Sequence, residues 1–232
     1  MSNKSTIDTF FFIGSEKLSL ILFEDKNKKI FEKELLIDED IKKKDLDILI
    51  DKFFGENIIK IEKEINRFIN EINLIIFSNF LSIEASIKKK KTRDRIDMRD
   101  LNHMLFDLKQ QIKENNIDKS IIHMRIKSFL LDKKKHLILE NKFECSELCL
   151  QINFICLSNF IIKKLSKKIN KYQISINKIY SEEYLKEYSH NNENVYQTAT
   201  RLKYMKDENE VHLIKKTVAN QGFFERFFRF FN

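Results

Sequence analysis

The chain has 232 residues, a formal net charge of +8, and 42% hydrophobic and 34% charged residues, enough to build one large or two small folded domains. No apolar run reaches the roughly 18 residues that span a bilayer, and the run at residues 10–13 is too short for the apolar part of a signal peptide. We therefore predict a chain that stays in the cytoplasm.

Residues 1–78 predict a strand meander, a helix and a buried strand. Residues 8–24 show alternating apolar positions after a turn at Gly14 and Ser15, and residues 28–37 continue as a third strand. The run at 72–77 is apolar throughout, which is typical of a strand buried on both faces. Helical spacing predicts a helix over residues 57–71, with apolar positions at Ile58, Ile61, Ile65, Phe68 and Ile72.

Residues 79–188 predict a second unit with the order strand, helix, strand, strand, helix, strand. Its first strand alternates over 81–88, and Asp97 with Asp100 three residues later has the pattern of a helix N-cap. A strand around 122–127 places His123 on its polar, exposed face, and a further strand covers 148–156. Ser158 caps the next helix, residues 171–180 form the last strand, and a short helix covers 181–188. This order predicts an α+β fold with a small sheet and helices on one face.

The C-terminal part predicts a surface helix after a charged linker. A polar break at 189–194 precedes a helix at 195–205, and residues 206–221 read as the linker. On a helix, residues 222–232 place six phenylalanines on one arc and Glu225 with two arginines on the other. Such a helix lies flat in a membrane interface, and its net basic charge favours anionic lipid. The predicted membrane-binding residues are Phe223, Phe224, Arg226, Phe227, Phe228, Arg229, Phe230 and Phe231. A helix docked on the protein's own core or in a partner's groove is the alternative.

Sequence motifs for catalysis, metal or nucleotide binding are absent. The chain has three glycines and no proline, so it has neither a P-loop nor a GxGxxG motif, both of which need glycines for close approach to phosphate. An odd number of cysteines suits a reducing compartment, and their spacing does not indicate a zinc site. The scattered histidines suggest no catalytic set, so we predict no enzyme, no metal and no cofactor. The cysteines are Cys145, Cys149 and Cys156, and the histidines are His103, His123, His136, His190 and His212.

The positive charge also permits a basic nucleic-acid-binding module. The densest basic run, residues 88–91, has no interleaved aromatic side chains on which bases could stack. A diffuse positive charge equally suits an anionic membrane surface. Nucleic acid is therefore the less favoured partner.

Four stretches in order resemble the bacterial cell-division protein FtsA, an actin-like protein that tethers the division ring to the membrane. Residues 13–15 followed by KLSLILFE resemble its first two core strands. Residues 96–101 (IDMRDL) with 120–124 (SIIHM) resemble its inserted 1C subdomain. Residues 196–204 (YQTATRLKY) resemble its closing core helix, and residues 222–228 (GFFERFF) resemble its membrane-targeting helix.

The resemblance implies a partial actin-like, ribonuclease H-like lobe 1A at 1–78 and 195–205. It also implies an SHS2-like 1C subdomain at 79–188, a linker at 206–221 and a membrane-targeting amphipathic helix at 222–232. The second lobe, subdomains 2A and 2B, has no counterpart here. Phe12 stands where the family's first phosphate loop has an acidic residue, and the second phosphate loop is missing. We therefore expect ATP binding to be lost.

The resemblance further implies a non-enzymatic division adaptor on the cytoplasmic face of the inner membrane, at the division site. Its partners would be an anionic membrane surface and division proteins, FtsZ or later divisome components, recruited through 1C. Apolar surface left open by the lost lobe would be covered by a partner or by self-association. A PilM-like actin-family adaptor of a pilus or secretion machine is the alternative.

Overall fold

The structure, a computed structural model, describes residues 6–26, 28–37, 46–93, 95–136, 143–190, 193–204 and 210–211. Within them the chain is a mixed α/β protein with two sheets, which confirms the predicted combination of helices and strands. The strands are β1 (Ile7–Ile13), β2 (Lys17–Glu24), β3 (Lys28–Leu36), β4 (Glu71–Ile76), β5 (Leu81–Lys90), β6 (Lys119–Leu131), β7 (Lys134–His136), β8 (Glu147–Ser158) and β9 (Ser175–Ser181). The helices are α1 (Leu46–Ile65), α2 (Met98–Asn115), α3 (Asn159–Asn170), α4 (Glu182–Glu187) and α5 (Val195–Tyr204).

The first sheet has the strand order β3-β2-β1-β4-β9. The meander predicted for residues 8–37 is confirmed, because β1 pairs antiparallel with β2, and β2 with β3. β4 lies parallel to β1 on one side and to β9 on the other. It is buried on both faces, as its apolar run predicts.

Helices cover both faces of this first sheet. On one face Phe11 and Leu74 share a core with Phe54 of α1 and Leu165 of α3. On the opposite face Phe10 and Ile75 pack with residues of α4 and α5. Neighbouring residues of one strand point to opposite faces, so β1 contributes to both cores.

The helix predicted at 57–71 has different bounds, since α1 begins at Leu46 and ends at Ile65. Its apolar stripe continues backwards through buried Phe53 and Phe54, which the prediction left out. After Ile65 the backbone turns at Asn66, whose φ is 48°, and the Glu62 side chain accepts a hydrogen bond from the Ile69 amide at 2.9 Å. Phe68 lies beyond the helix and is 82% exposed.

The second sheet has the order β5-β8-β6-β7, and all its pairs are antiparallel. Its core contains the apolar stripe of α2, including Leu101 and Leu105, packed against β6 and β8. The predicted N-cap of α2 is confirmed. Asp97 accepts hydrogen bonds from the Arg99 and Asp100 amides, and Asp100 accepts one from the Asp97 amide.

The last strand and the helices on either side of it do not belong to the second sheet, contrary to the prediction that residues 159–188 are part of the second unit. β9 pairs with β4 along its length, with Glu71 opposite Ser175. α3 packs on the first sheet through Leu165 and Ile169, and Ile176 and Ile179 of β9 border the same core. The second sheet is therefore inserted into the chain between β4 and α3.

Candidate functional site

A buried polar cluster lies where the two sheets meet. His123 of β6 is hydrogen-bonded through Nδ1 to Glu210 Oε1 at 3.0 Å, and both side chains are nearly inaccessible to solvent. The other ring nitrogen, Nε2, accepts a hydrogen bond from the Ser181 amide at 3.3 Å. The Tyr184 ring stacks on the imidazole, with the ring centroids 3.9 Å apart. One histidine thus connects β6, the end of β9, α4 and the segment at residue 210.

The exposed position predicted for His123 is wrong. The pairing of β6 with β8 shifts between Ile121, opposite Cys156, and His123, opposite Ile155, so Ile122 is an extra residue in the strand. A β-bulge of this kind breaks the alternation of faces on which the prediction rested. Ile122 packs at the core of the first sheet, and His123 turns into the junction between the sheets.

The segment at 210–211, which the sequence assigned to a linker, lies along β6. Glu210 forms an antiparallel bridge with Arg125, and the Val211 amide donates to the Met124 carbonyl at 2.8 Å. Arg125 also stacks over the Tyr188 ring, with its guanidinium carbon 3.5 Å from the ring centre. A short piece of chain after α5 is therefore fixed to the second sheet.

The cluster also contains a partly buried cation. Lys178 Nζ of β9 lies 4.0 Å from Glu210 Oε1. Burial lowers the pKa of Lys178, and the nearby Glu210 carboxylate opposes that shift. Burial raises the pKa of the neighbouring Tyr180 hydroxyl well above its usual range, and the carboxylates of Glu210 and Asp8 add to this. The Lys178 cation and the Glu210 carboxylate therefore partly compensate each other's charge.

The C-terminal end of α5 is held to β1 by a second polar contact. Lys203 Nζ lies 2.6 Å from Asp8 Oδ1, and the Tyr204 hydroxyl donates to the same carboxylate at 2.7 Å. Burial and the Asp8 carboxylate raise the pKa of Tyr204. The Asp8 contacts and the His123 contacts together fix the path of the chain on either side of residues 205–209.

The turn between β1 and β2 is the place of the first phosphate loop in the resemblance. The Gly14 amide donates to the Lys17 carbonyl at 2.9 Å. A side chain at residue 14 would begin 2.3 Å from the Phe12 ring, so the glycine is required for this close contact. The turn is packed around Phe12, and the loss of ATP binding stays a prediction.

A surface groove of about 630 Å³ separates the β2–β3 hairpin from α5. The Tyr196 hydroxyl at its base donates to Ser19 Oγ at 3.0 Å. Its rim carries lysines and glutamates, of which Lys17 pairs with Glu34 at 2.5 Å. Because charges of both signs alternate along the rim, the groove does not indicate an anionic or a cationic ligand.

The predicted membrane-binding residues, 223–231, lie outside the described residues, as does most of the predicted linker. No helix within the described ranges is long and apolar enough to cross a membrane. In the same ranges, no group of three or more histidine, cysteine, aspartate or glutamate side chains could hold a metal ion. The cysteines are free, and burial raises the pKa of the Cys145 and Cys156 thiols.

Sequence reasoning missed the partners of His123. Glu210 lies in a charged stretch with no local pattern, and Lys178 and Tyr184 belong to elements far away in the chain. Only the pairing of the strands brings these residues together.

No protein-family model and no curated protein matches the chain. Solved structures that are similar in fold include three that each match only part of the chain. The cytoplasmic domain of EpsL, an inner-membrane component of the type II secretion system of Vibrio cholerae, is 9% identical with a TM-score of 0.37 and covers 78% of this chain and 59% of its own. A PilM–PilN type IV pilus biogenesis complex is 9% identical with a TM-score of 0.43, and the match covers 77% of this chain and 48% of that one.

The third similar structure is a protein of unknown function with an actin-like ATPase fold from Bacteroides thetaiotaomicron. It is 11% identical with a TM-score of 0.36, and the match covers 77% of this chain and 53% of that one. The chain therefore spans about half to three fifths of the structures that it matches. Similarities this distant do not decide between functions.

Proposed function

We propose that the chain is a non-enzymatic adaptor that attaches to an anionic membrane surface through residues 222–232 and recruits proteins through its second sheet. The observation that carries the proposal is the arc of six phenylalanines backed by two arginines in these residues. An aromatic face with a charged back partitions into the headgroup region of a bilayer rather than across it. If these six rings lay at the surface of a folded protein, they would have little other use.

The fixed segment at 210–211 supports this proposal. Residues 212–221 join this segment to the membrane-binding stretch, and ten residues span at most about 35 Å. A membrane-bound tail would therefore keep Val211, and the part of β6 that it contacts, within about that distance of the lipid surface. The proposed recruiting surface and the attachment point lie on the same part of the molecule.

The four-part resemblance to FtsA supports the cell-division apparatus as the assembly in which the adaptor works. We propose a place at the cytoplasmic face of the division site, without bound nucleotide, and division proteins as partners. The second candidate is a PilM-like adaptor of a pilus or secretion machine, the kind of assembly that the descriptions of two similar structures name. Membrane attachment is common to both candidates.

The test of attachment is co-sedimentation with liposomes of anionic and of neutral lipid. We expect the full chain to bind anionic liposomes and a chain that ends at Gln221 to stay in solution. Replacing Arg226 and Arg229 by Gln should weaken anionic binding by about 1 kcal/mol for each residue and leave neutral binding unchanged. Glu225→Gln, on the same charged arc, is the matched control and should bind at least as well as the native chain.

Equal sedimentation of the full and shortened chains would contradict the proposal and favour the docked-helix alternative. Imaging of the fluorescently labelled full chain in dividing and in piliated cells distinguishes the two candidate functions. A band at mid-cell supports the division adaptor, whereas a position shared with the pilus or secretion apparatus supports the second candidate.

A further inference from the structure

β5 forms one edge of the second sheet and is built regularly over its whole length. All ten of its residues, 81–90, pair with β8 without a register shift. Among the described residues, β8 is its only strand neighbour. The main-chain groups on the other side of such a strand are available for pairing with a further strand.

The two faces of β5 differ. Ile83, Ala85 and Ile87 pack at the border of the core under α2. Ser82, Glu84, Ser86 and Lys88 lie on the other face and are exposed, and the Glu84 side chain is 77% accessible. An added strand would therefore extend both a half-buried apolar face and a charged face.

Within one chain Glu84 pairs with Lys127 at 3.6 Å and Lys88 with Glu147 at 2.8 Å, and the Glu84 and Lys88 side chains remain largely exposed. The charges on this face are also self-complementary between two copies. Glu84 and Lys88 lie at equal distances on either side of Ser86. When two antiparallel copies of β5 meet with Ser86 opposite Ser86, Glu84 of each copy faces Lys88 of the other. Opposite charges placed directly across two strands stabilise the pair, and like charges destabilise it.

We propose that β5 is a homodimer edge, which pairs antiparallel with β5 of a second copy of this chain about a two-fold axis through Ser86. The two four-stranded sheets then form one eight-stranded sheet. The axis is perpendicular to the sheet, so both copies of α2 cover the same face. Isologous pairing of this kind is the commonest way in which identical subunits associate.

The basic run at residues 88–91 disfavours parallel pairing of two copies, although Lys89 and Lys91 are partly neutralised by Asp100 within each chain. Antiparallel pairing places the two runs at opposite ends of the joined edge, where each faces the end of the other strand that carries Glu84. Parallel pairing would put the two runs side by side, with like charges about 5 Å apart. The same lysines discourage other strands from adding to this edge, and the pairing of Glu84 with Lys88 favours the register with Ser86 opposite Ser86.

Register-specific cross-linking of the full chain tests the proposal. In a Cys149→Ser background, which removes the half-buried native thiol near this edge, Ser86→Cys should form a disulfide-linked dimer under mild oxidation. Ser82→Cys, on the same exposed face, is the matched control, because in this register the two residues 82 lie about 27 Å apart. We expect cross-linking of residue 86 to exceed that of residue 82 by at least about tenfold.

Charge exchange supplies a readout that does not depend on cysteine. Glu84→Lys alone and Lys88→Glu alone each place two like-charged pairs across the edge, and each should weaken dimerisation in sedimentation velocity by about tenfold or more. An equimolar mixture of the two variants restores both opposite-charge pairs and should dimerise as the native chain does. Circular dichroism of each variant confirms that it is folded.

Three results would overturn the proposal. These are equal cross-linking at residues 82 and 86, no cross-linking at residue 86, and a mixture of charge variants that dimerises no better than either alone. Association through the phenylalanine-rich tail would give the first or the second result. Membrane binding is measured separately, so this test and that of the adaptor function can fail independently.

Discussion

At the first turn of α2, a single carboxylate joins a helix cap to two lysines of a neighbouring strand and loop. Asp100 accepts hydrogen bonds from Lys89 at 2.7 Å and Lys91 at 2.9 Å, besides the one from the Asp97 amide. The Lys89 bond, followed by the Lys91 bond, holds the pKa of Asp100 well below its ordinary value of 3.8. The folded state therefore favours the ionised carboxylate.

The stability that Asp100 contributes should depend on pH in a defined direction. A carboxylate whose pKa is lowered by folding stabilises the protein above the unfolded pKa, and this contribution is lost as the pH falls below about 4. We expect Asp100→Asn to lower the melting temperature at pH 7 by a few degrees. The difference from the native chain should shrink steadily below pH 4. Melting curves from pH 7 to pH 3 test this, with Asp107→Asn, exposed on the same helix, as the control. A constant difference across that range would contradict it.

Residue positions set by local geometry could be predicted, and those set by distant pairing could not. The cap at Asp97 and Asp100 depends on four consecutive residues, so its pattern is visible in the sequence. The burial of His123 depends on one extra residue in β6, and alternation in the sequence gives no sign of where a bulge will fall. Its partner Glu210 is 87 residues away. The candidate site therefore emerged only with the structure.

At the scale of elements, the segment at 210–211 is held by few contacts, and one of them is the buried Glu210 carboxylate. We expect Glu210→Ala to leave the His123 imidazole without this partner and to cost about 1–3 kcal/mol in local opening. The Val211 amide, which donates to the Met124 carbonyl, should then exchange with solvent at least about fivefold faster. Hydrogen exchange resolved at single residues measures this.

Amides in the centre of β8, such as that of Ile152, should keep their protection in the Glu210→Ala variant, because their hydrogen bonds lie inside the sheet. Glu187→Ala, at an exposed position of α4, is the matched control. If Val211 exchanged at the native rate in the Glu210→Ala variant, the main-chain bond alone would hold the segment. The contact between His123 and Glu210 would then not be needed to hold the segment at 210–211 on β6.

The type of most elements could be predicted, whereas their limits and partners depended on packing. The apolar run of β4 indicated a strand buried on both faces because that pattern is complete within six residues. The first turns of α1 pack on the core of the first sheet through Leu46, Leu49 and Ile50, and the sequence alone does not show these long-range contacts, so the prediction placed the start of the helix too late. β9 was assigned to the wrong sheet because the sequence shows that a strand exists but not which strand it joins.

At the scale of the whole molecule, the chain contains an inserted unit with a core of its own. The fully buried residues of that core all fall between Ile96 and Cys156, on α2 and the strands of the second sheet or close to them. The two ends of the insertion meet, because Leu81 at the start of β5 pairs with Cys156 near the end of β8. A unit with adjacent ends and a separate core has the properties of an independently folding domain.

We therefore predict that residues 81–158 fold as an isolated fragment. The fragment loses the cover that the first sheet gives to Ile122 and Leu157, so it should melt at a lower temperature than the intact chain. Its ¹H–¹⁵N spectrum should nevertheless be well dispersed, with protected amides in β6 and β8. A fragment that begins at residue 98 lacks the edge strand β5 and serves as the control, which should be unfolded. A narrow, collapsed spectrum for 81–158 would mean that the two sheets fold only together, because the junction at His123 would then be part of one shared core.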